Sequence, residues 1–417
     1  MARIEHIRYP KLYPELVDGR IVWAAESSPR AALPQILWSD HSPWTEANVW
    51  ALEVSRCRHA KTVMHTAIQM LGYAKWLERE GVDWRHFPVR ADERCTTRFR
   101  GHLIELCSQG RLSQSTIASR MAVVVRFYRW LKIRDLVENS HPMWSERAIG
   151  IRLADQFGFN RSIEVGSTDL AIKTTTIAGA ASLEDGVLPM SLNGMRAVLS
   201  FYEENATPEL HLMTRIGVGT GMRLGSIVDL KLETFENATL DDSDTWYRID
   251  IGPSARPPVQ TKFGVNGRVP FPADLLHDTL AYARSTRRLK REANSKPSDR
   301  CLLFLNRFGR SYGGNDAGAL QVEISRLRNL ARRNRVAGID DFHFHRTRAT
   351  FATMLMRCCM ASMPLAEAVQ FVREACLHRN EGTTMKYVRF IEKNIEAAAV
   401  ADAFAQQFMG LSNGGGT

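Results

Sequence analysis

Residues His343–Thr353 read "HFHRTRATFAT". His343, His345, Arg346 and Arg348 crowd together just before a run in which Phe351 and Leu355 keep helical spacing. A helix that opens on so many cationic and imidazole groups suits an anion, and the rest of the chain has to supply the partners for that anion. Upstream, "TGMRLGSIVDL" (220–230) sets Thr220 and Gly221 ahead of Arg223, near the start of an apolar helix. Downstream, "ACLHRNEGTTMKYVRF" (375–390) carries His378 and, nine positions later, Tyr387. Lys262 falls between the first two, at the strand-to-turn junction of "VQTKFGVNGRVPF". Taken singly, Arg223 reads as a salt-bridging surface arginine and Tyr387 as a half-buried core tyrosine.

Together these residue types support one chemistry. Two arginines can clamp the non-bridging oxygens of a phosphodiester with paired N–H donors and neutralise the charge that builds up at phosphorus. A lysine or histidine can protonate the departing sugar oxygen, and a tyrosine can attack to form a covalent intermediate. Phosphoryl transfer needs mostly placement and charge stabilisation, which these groups supply without a metal. Asp241, Asp242 and Asp244 bunch in one loop-like stretch, and no acidic set makes a convincing two-metal nuclease.

The composition agrees with an anionic partner. The chain has 417 residues, a net charge of +10 and a pI near 9.4, which suit DNA, RNA or an anionic surface alike. No stretch approaches the roughly 20 apolar residues of a spanning helix, and the charged, proline-broken first 20 residues do not resemble a signal peptide, so a cytoplasmic location is expected. Seven cysteines with no CxxC pair argue against a disulfide framework or structural zinc site.

Periodicity divides the chain. "WTEANVWALEVSR", "KTVMHTAIQMLGYAKWLEREG", "CTTRFRGHLIELCSQG" and "SQSTIASRMAVVVRFYRWLKI" read as helices, with Val63, Ala67, Met70, Leu71, Ala74 and Leu77 on one face. Residues 45–142 thus form a helical domain, 1–44 an extension of unknown role with short β-prone pieces, and 143–188 a linker rich in Ser, Thr, Gly and Ala. Residues 189–417 hold helices around strand-like "TWYRIDIG", "PPVQTKF" and "GRVPFP", ending in a flexible tail. The fold class is mainly α, with a small β-sheet in a mixed α/β second domain. Two basic runs, "RSTRRLKREANSK" and "SRLRNLARRNR", read equally as solvated helix faces or as a phosphate-tracking surface.

The ordered set Thr220-Gly221-Met222-Arg223, Lys262, His345-Arg346-Thr347-Arg348 followed by Thr350-Phe351-Ala352-Thr353, then Leu377-His378 and Tyr387 resembles the tyrosine recombinases, the phage-integrase superfamily. His343 with Arg346 also fits the family's HxxR pattern. The frame His345 with Arg348 is preferred because it alone places "TFAT" at the family distance. Ser226, Ala349 and Cys376-Leu377 depart from the usual pattern and mark a divergent branch.

The resemblance implies a core-binding domain at 45–142 that grips duplex DNA with the catalytic domain as a C-shaped clamp. It implies a site-specific recombinase that needs no metal or nucleotide cofactor. Tyr387 is the expected nucleophile, forming a 3′-phosphotyrosyl link, with Arg223, Arg348 and His378 on the phosphate. Lys262 protonates the leaving oxygen and His345 assists proton transfer. Expected partners are double-stranded DNA, a second copy on each site, a homotetramer at synapsis and accessory DNA-bending proteins, with no membrane; the setting is the nucleoid and a mobile element. Rival readings are a type IB topoisomerase, a DNA-binding architectural factor with a decayed site, and a metal-dependent nuclease.

Overall fold

The helical face spanning Val63 to Leu77 is buried as its period requires: Val63, Ala67, Met70, Ala74 and Leu77 lie in the core and Leu71 is half-buried. It belongs to α2 (Ala60–Glu80), which runs from a His59 cap to Gly81 in the left-handed region at φ 63°. In this computed structural model the described residues are 1–9, 12–25, 32–137, 141–154, 160–173, 183, 186–241, 246–313, 318–336 and 338–394. The chain divides into two units, Met1–Ala178 and Gly179–Thr417.

In the first unit α2 packs with α1 (Thr45–Cys57), α3 (Cys95–Ser108) and α4 (Gln114–Ile133). Ser113 caps α4 by accepting from the Thr116 N–H. Their shared core is aromatic, built on Trp44, Tyr73, Trp76, Phe99, Phe127 and Tyr128. The Tyr73 and Tyr128 hydroxyls meet at 2.8 Å, and Tyr128 donates to the Trp84 carbonyl at 2.6 Å. Burial pushes both phenols well above their ordinary range, so they stay neutral donors.

Residues 1–44 are not a loose extension. Strands β1 (Arg3–Arg8) and β4 (Ala32–Leu37) pair antiparallel and lie against α1 and α2, with Leu33 and Ile36 buried. Strands β2 (Leu12–Val17) and β3 (Arg20–Ala25) form a separate hairpin. The buried Asn48 amide bridges strand and helix: its Oδ1 accepts from the Ile36 N–H at 2.7 Å and its Nδ2 donates to the Ile36 carbonyl at 3.1 Å. Asn48→Ala leaves both backbone groups without that partner and should cost about 2 kcal/mol, lowering the urea midpoint of the unit. An unchanged midpoint would show that the bridge contributes nothing.

The stretch expected to begin a linker at 143 continues the first unit. Met143, Trp144 and Leu170 sit in its aromatic core, and β5 (Glu146–Ala154) pairs antiparallel with β6 (Asn160–Thr168). The hairpin lies almost wholly before the Ser-, Thr-, Gly- and Ala-rich run that starts at Ser167, in a segment the sequence assigned to no element. Residues 174–182, from the middle of the Ser/Thr/Ala-rich stretch, lie outside the described residues.

In the second unit, α5 (Leu192–Asn205) starts at a Ser191 cap and α6 (Pro208–Thr220) at a Thr207 cap followed by Pro208. The apolar period continues beyond Thr220, but the helix does not. Gly221 takes φ 66° and ends it, and the short α7 (Leu224–Ile227) follows Arg223. A Cβ at Gly221 would stand 2.4 Å from the Phe351 ring, so both the backbone turn and the close approach to the later helix demand glycine.

Next come α8 (Leu232–Glu236) and an antiparallel sheet of β7 (Thr239–Leu240), β8 (Trp246–Ile251) and β9 (Gly267–Pro272), in the order β7-β8-β9. "PPVQTKF" does not join that sheet. Pro257 and Pro258 lack N–H donors for a ladder, and the segment lies within the connection 252–266, beyond the Ile251–Gly267 pair that ends the β8–β9 ladder. Then follow α9 (Ala273–Ala283), α10 (Thr286–Ala293), α11 (Gly318–Arg333), α12 (His345–Ser362), α13 (Leu365–Ala375) and a helix over 381–394. The C-terminal segment beyond 394, with its expected flexible tail, lies outside the described residues.

Three arginines of the basic run on α10 are tied to the protein itself, although Arg288 alone among them is buried. Arg287 and Arg291 both pair with the fully buried Glu209 of α6, at 2.7 and 2.9 Å, and the Tyr282 hydroxyl donates to the same carboxylate. Arg288 is buried and donates to the Arg300 and Leu302 carbonyls. In α11, Arg326 reaches the Asn205 carbonyl while Arg328 and Arg332 reach that of Asp340. These arginines fasten helices to each other and to loops, a use that charge counting along a sequence cannot separate from a phosphate-binding face.

Candidate active site

Arg348 lies one turn into α12, where its side chain is 2% exposed. Its Nη1 donates to the Gly221 carbonyl at 2.8 Å and its Nη2 to the Cys376 carbonyl at 2.6 Å. The guanidinium therefore joins the turn after α6 to the end of α13. Both are helix C-termini, where carbonyls lack intrahelical partners and carry partial negative charge.

A small pocket opens at this junction. Arg223, Arg348, Met222, Ser226, Thr261 and Leu377 are among its lining residues, so the two arginines singled out in the sequence face one cavity. Ser226 stands where the family usually has an acidic residue, and its backbone N–H donates to the Arg223 carbonyl at 2.9 Å, fixing the turn that carries the arginine. The alternative frame of "HFHRTR" has a different geometry. Arg346 is held by Asp341 and the Leu188 carbonyl, and His343 is exposed. His345 is half-buried as the first residue of α12, three positions before Arg348 and hence on the same helix face.

His378 is placed by the way α13 ends. The Leu377 N–H donates to the Glu374 carbonyl and the His378 N–H to that of Arg373, the paired bonds of a Schellman turn. Its left-handed position is Leu377 at φ 52°, where the family pattern usually has glycine. A leucine there costs about 1–2 kcal/mol. Its side chain fits against Gly267, where a Cβ would come within 2.5 Å of Leu377 Cδ2. The same contact brings the start of β9, and with it the Lys262 loop, beside His378.

The His378 side chain is 4% exposed. Its Nδ1 lies 2.9 Å from Thr384 Oγ1, and its ring stacks on that of Tyr387 with centroids 5.8 Å apart and planes within 11°. Thr384 sits three positions before Tyr387 on the helix 381–394, so one helix face supplies both the hydroxyl and the phenol that meet the imidazole. Thr384 was missed in the sequence, where Thr383 beside it lies at an equally helical spacing from Tyr387. Tyr387 is 0% exposed and packs with Ala352, Met356, Val372 and Cys376.

Lys262 is exposed in a turn over Lys262–Gly264, and Thr261 beside it lines the arginine pocket. Its Nζ stands 5.6 Å from the centre of the Phe263 ring, while Arg379, next to His378, stands 5.8 Å from the same ring. Arg223 and Arg348 line one pocket, and Lys262 and His378 each follow a lining residue, Thr261 and Leu377; Lys262, His345, His378 and Tyr387 are not among the lining residues. Among the described residues no group of three or more His, Cys, Asp and Glu side chains is placed to hold a metal ion. No helix among them is long and apolar enough to cross a membrane.

Residues 190–393 match the family model described as "Phage integrase family". No curated protein matches the chain. Similar solved structures include the Tn1549 transposon integrase in complex with a circular intermediate DNA, at 15% identity and TM-score 0.49, covering 82% of this chain and 94% of that one. A lambda integrase (75-356) dimer bound to a COC' core site is 12% identical at TM-score 0.47, with 82% and 94% covered. XerA recombinase is 11% identical at TM-score 0.34, with 87% and 98% covered. At these values the structural likenesses carry no weight of their own, whereas the family match takes in all six sequence-predicted site residues. Residues 190–393 form a domain of the phage integrase family, the tyrosine recombinases.

Proposed function

We propose that this recombinase cuts and rejoins DNA strands through a covalent bond between Tyr387 and a 3′-phosphate. The observation that carries the reading is that Arg223 and Arg348 line one pocket while His378, the residue after the pocket-lining Leu377, stacks on Tyr387. In the proposed step the Tyr387 oxygen attacks phosphorus, the bond to the 5′-oxygen breaks, and Lys262 gives that oxygen a proton. Arg223, Arg348 and His378 stabilise the charge on the non-bridging oxygens, and His345 assists removal of the phenol proton. Free tyrosine has a pKa near 10, so a cationic pocket helps by favouring the phenolate. Rejoining runs the same steps backwards with a new 5′-hydroxyl, and the bond energy kept in the protein link makes a nucleotide cofactor unnecessary.

The Tyr387 ring is fully buried, so its hydroxyl meets a phosphate only after the helix 381–394 shifts. The proposal assigns the helices α1–α4 to DNA binding as a core-binding domain, and places a dimer on each duplex and a tetramer at synapsis. Strand exchange between two duplexes calls for four tyrosines.

The test is covalent capture on a randomised pool of nicked duplexes, in which loss of the short fragment past the nick prevents rejoining. The expected result is a denaturation-resistant protein–DNA adduct that forms equally well with EDTA. Adduct formation abolished by EDTA and restored by a divalent cation would contradict the metal-free step.

A further inference from the structure

Phe263 is 67% exposed, and its backbone stands at φ 68°, ψ 14° in the left-handed region. An aromatic residue there costs about 1–2 kcal/mol. Burial does not offset that cost, because most of the ring faces solvent. The conformation is nevertheless fixed from several sides. Thr261 Oγ1 donates to the Val265 carbonyl at 2.7 Å, the Gly264 N–H donates to the Thr261 carbonyl at 3.2 Å, and Asn266 Oδ1 accepts from the Ser254 N–H at 2.8 Å. The turn is built to hold an apolar ring outward. Lys262 Nζ and the Arg379 guanidinium carbon, from two separate segments, stand 5.6 and 5.8 Å from the centre of that ring.

A flat, exposed apolar ring near two cations, two positions along the chain from a residue that lines the two-arginine pocket, has the make-up of a surface that grips phosphates and stacks on a base. We infer that Phe263 stacks on a DNA base at the step adjoining the bound phosphate and opens that step, an inference that rests on the DNA-cleavage reading above. Lys262 and Arg379 hold the backbone on either side while the ring replaces the lost base–base contact. Steps that unstack at low cost, pyrimidine–purine steps above all, are then favoured at the cleavage position. Phe263 is a positioning and specificity residue here, since it touches the base and none of the reacting atoms.

The experiment measures binding of the full chain to two fluorescent 30-base-pair duplexes of one sequence at fixed salt. One is intact; the other carries a single central abasic tetrahydrofuran. A ring that stacks into an opened step favours the abasic duplex by about tenfold, since base–aromatic stacking contributes roughly 1–3 kcal/mol. Phe263→Ala should lose that preference and Phe263→Trp should keep it. Thermal melting checks that both variants fold. Phe263→Ala that retains the preference, or wild type that binds both duplexes equally, overturns this inference alone. Wild type that binds neither duplex overturns the DNA reading and this inference with it.

Discussion

Tyr387→Phe should abolish the covalent protein–DNA adduct while leaving affinity for the same duplex within about threefold of wild type. The substitution removes only the phenolic oxygen. The ring keeps its place against Ala352, Met356 and Val372 and its stack on His378, so the fold loses about 1 kcal/mol at most. No other residue on that helix face can take over. Thr384 lies one turn earlier with its hydroxyl at His378 Nδ1, and Lys386 and Arg389 project from other faces of the helix. A phenylalanine variant that still forms adducts would remove Tyr387 from the chemistry.

Arg348→Lys should lower the rate of single-turnover cleavage by about 10²–10³. The arginine spans two carbonyls, Gly221 and Cys376, and faces the pocket at the same time. A planar fork can do this because its donors diverge, whereas an ammonium at the end of a flexible stem cannot reach all three directions. The shorter Arg348→Ala variant leaves two buried carbonyls without their donor and should also lose about 2–4 kcal/mol of stability. Comparing the two separates roles. If the lysine variant melts near wild type and cleaves slowly, the guanidinium acts on the phosphate; if it cleaves within about threefold of wild type, Arg348 is only a strut.

Part of this site was legible because Arg223, His345 and His378 sit at helix boundaries that the sequence marks. Gly221 ends α6 before Arg223, His345 opens α12, and α13 ends just before His378. The family frame chosen for "HFHRTR" puts the buried arginine at 348, and the structure buries that one. The contacts that hold the groups together were not legible. They run through the backbone carbonyls of residues 221 and 376, which carry no side-chain signature, and through Thr384, one of two adjacent threonines with nothing local to tell them apart.

The fold was read best where one apolar face repeats, as along α2, and worst where pairing is long-range. The β1–β4 ladder joins residues about thirty positions apart in sequence. The β5–β6 hairpin lies in a segment that the sequence assigned to no element. The α10 arginines show the same gap, because Arg287 and Arg291 meet Glu209 far upstream, and only the tertiary fold says that a basic run is an anchor.

The account stands or falls on which atom takes the DNA. Captured adduct from wild-type protein should be digested with trypsin and a nuclease and the remaining nucleotide located by mass spectrometry. The prediction is a peptide carrying Tyr387 joined to a nucleotide through its 3′-phosphate, with a free 5′-hydroxyl on the released strand. A nucleotide on any other residue, or a link through a 5′-phosphate, would contradict it.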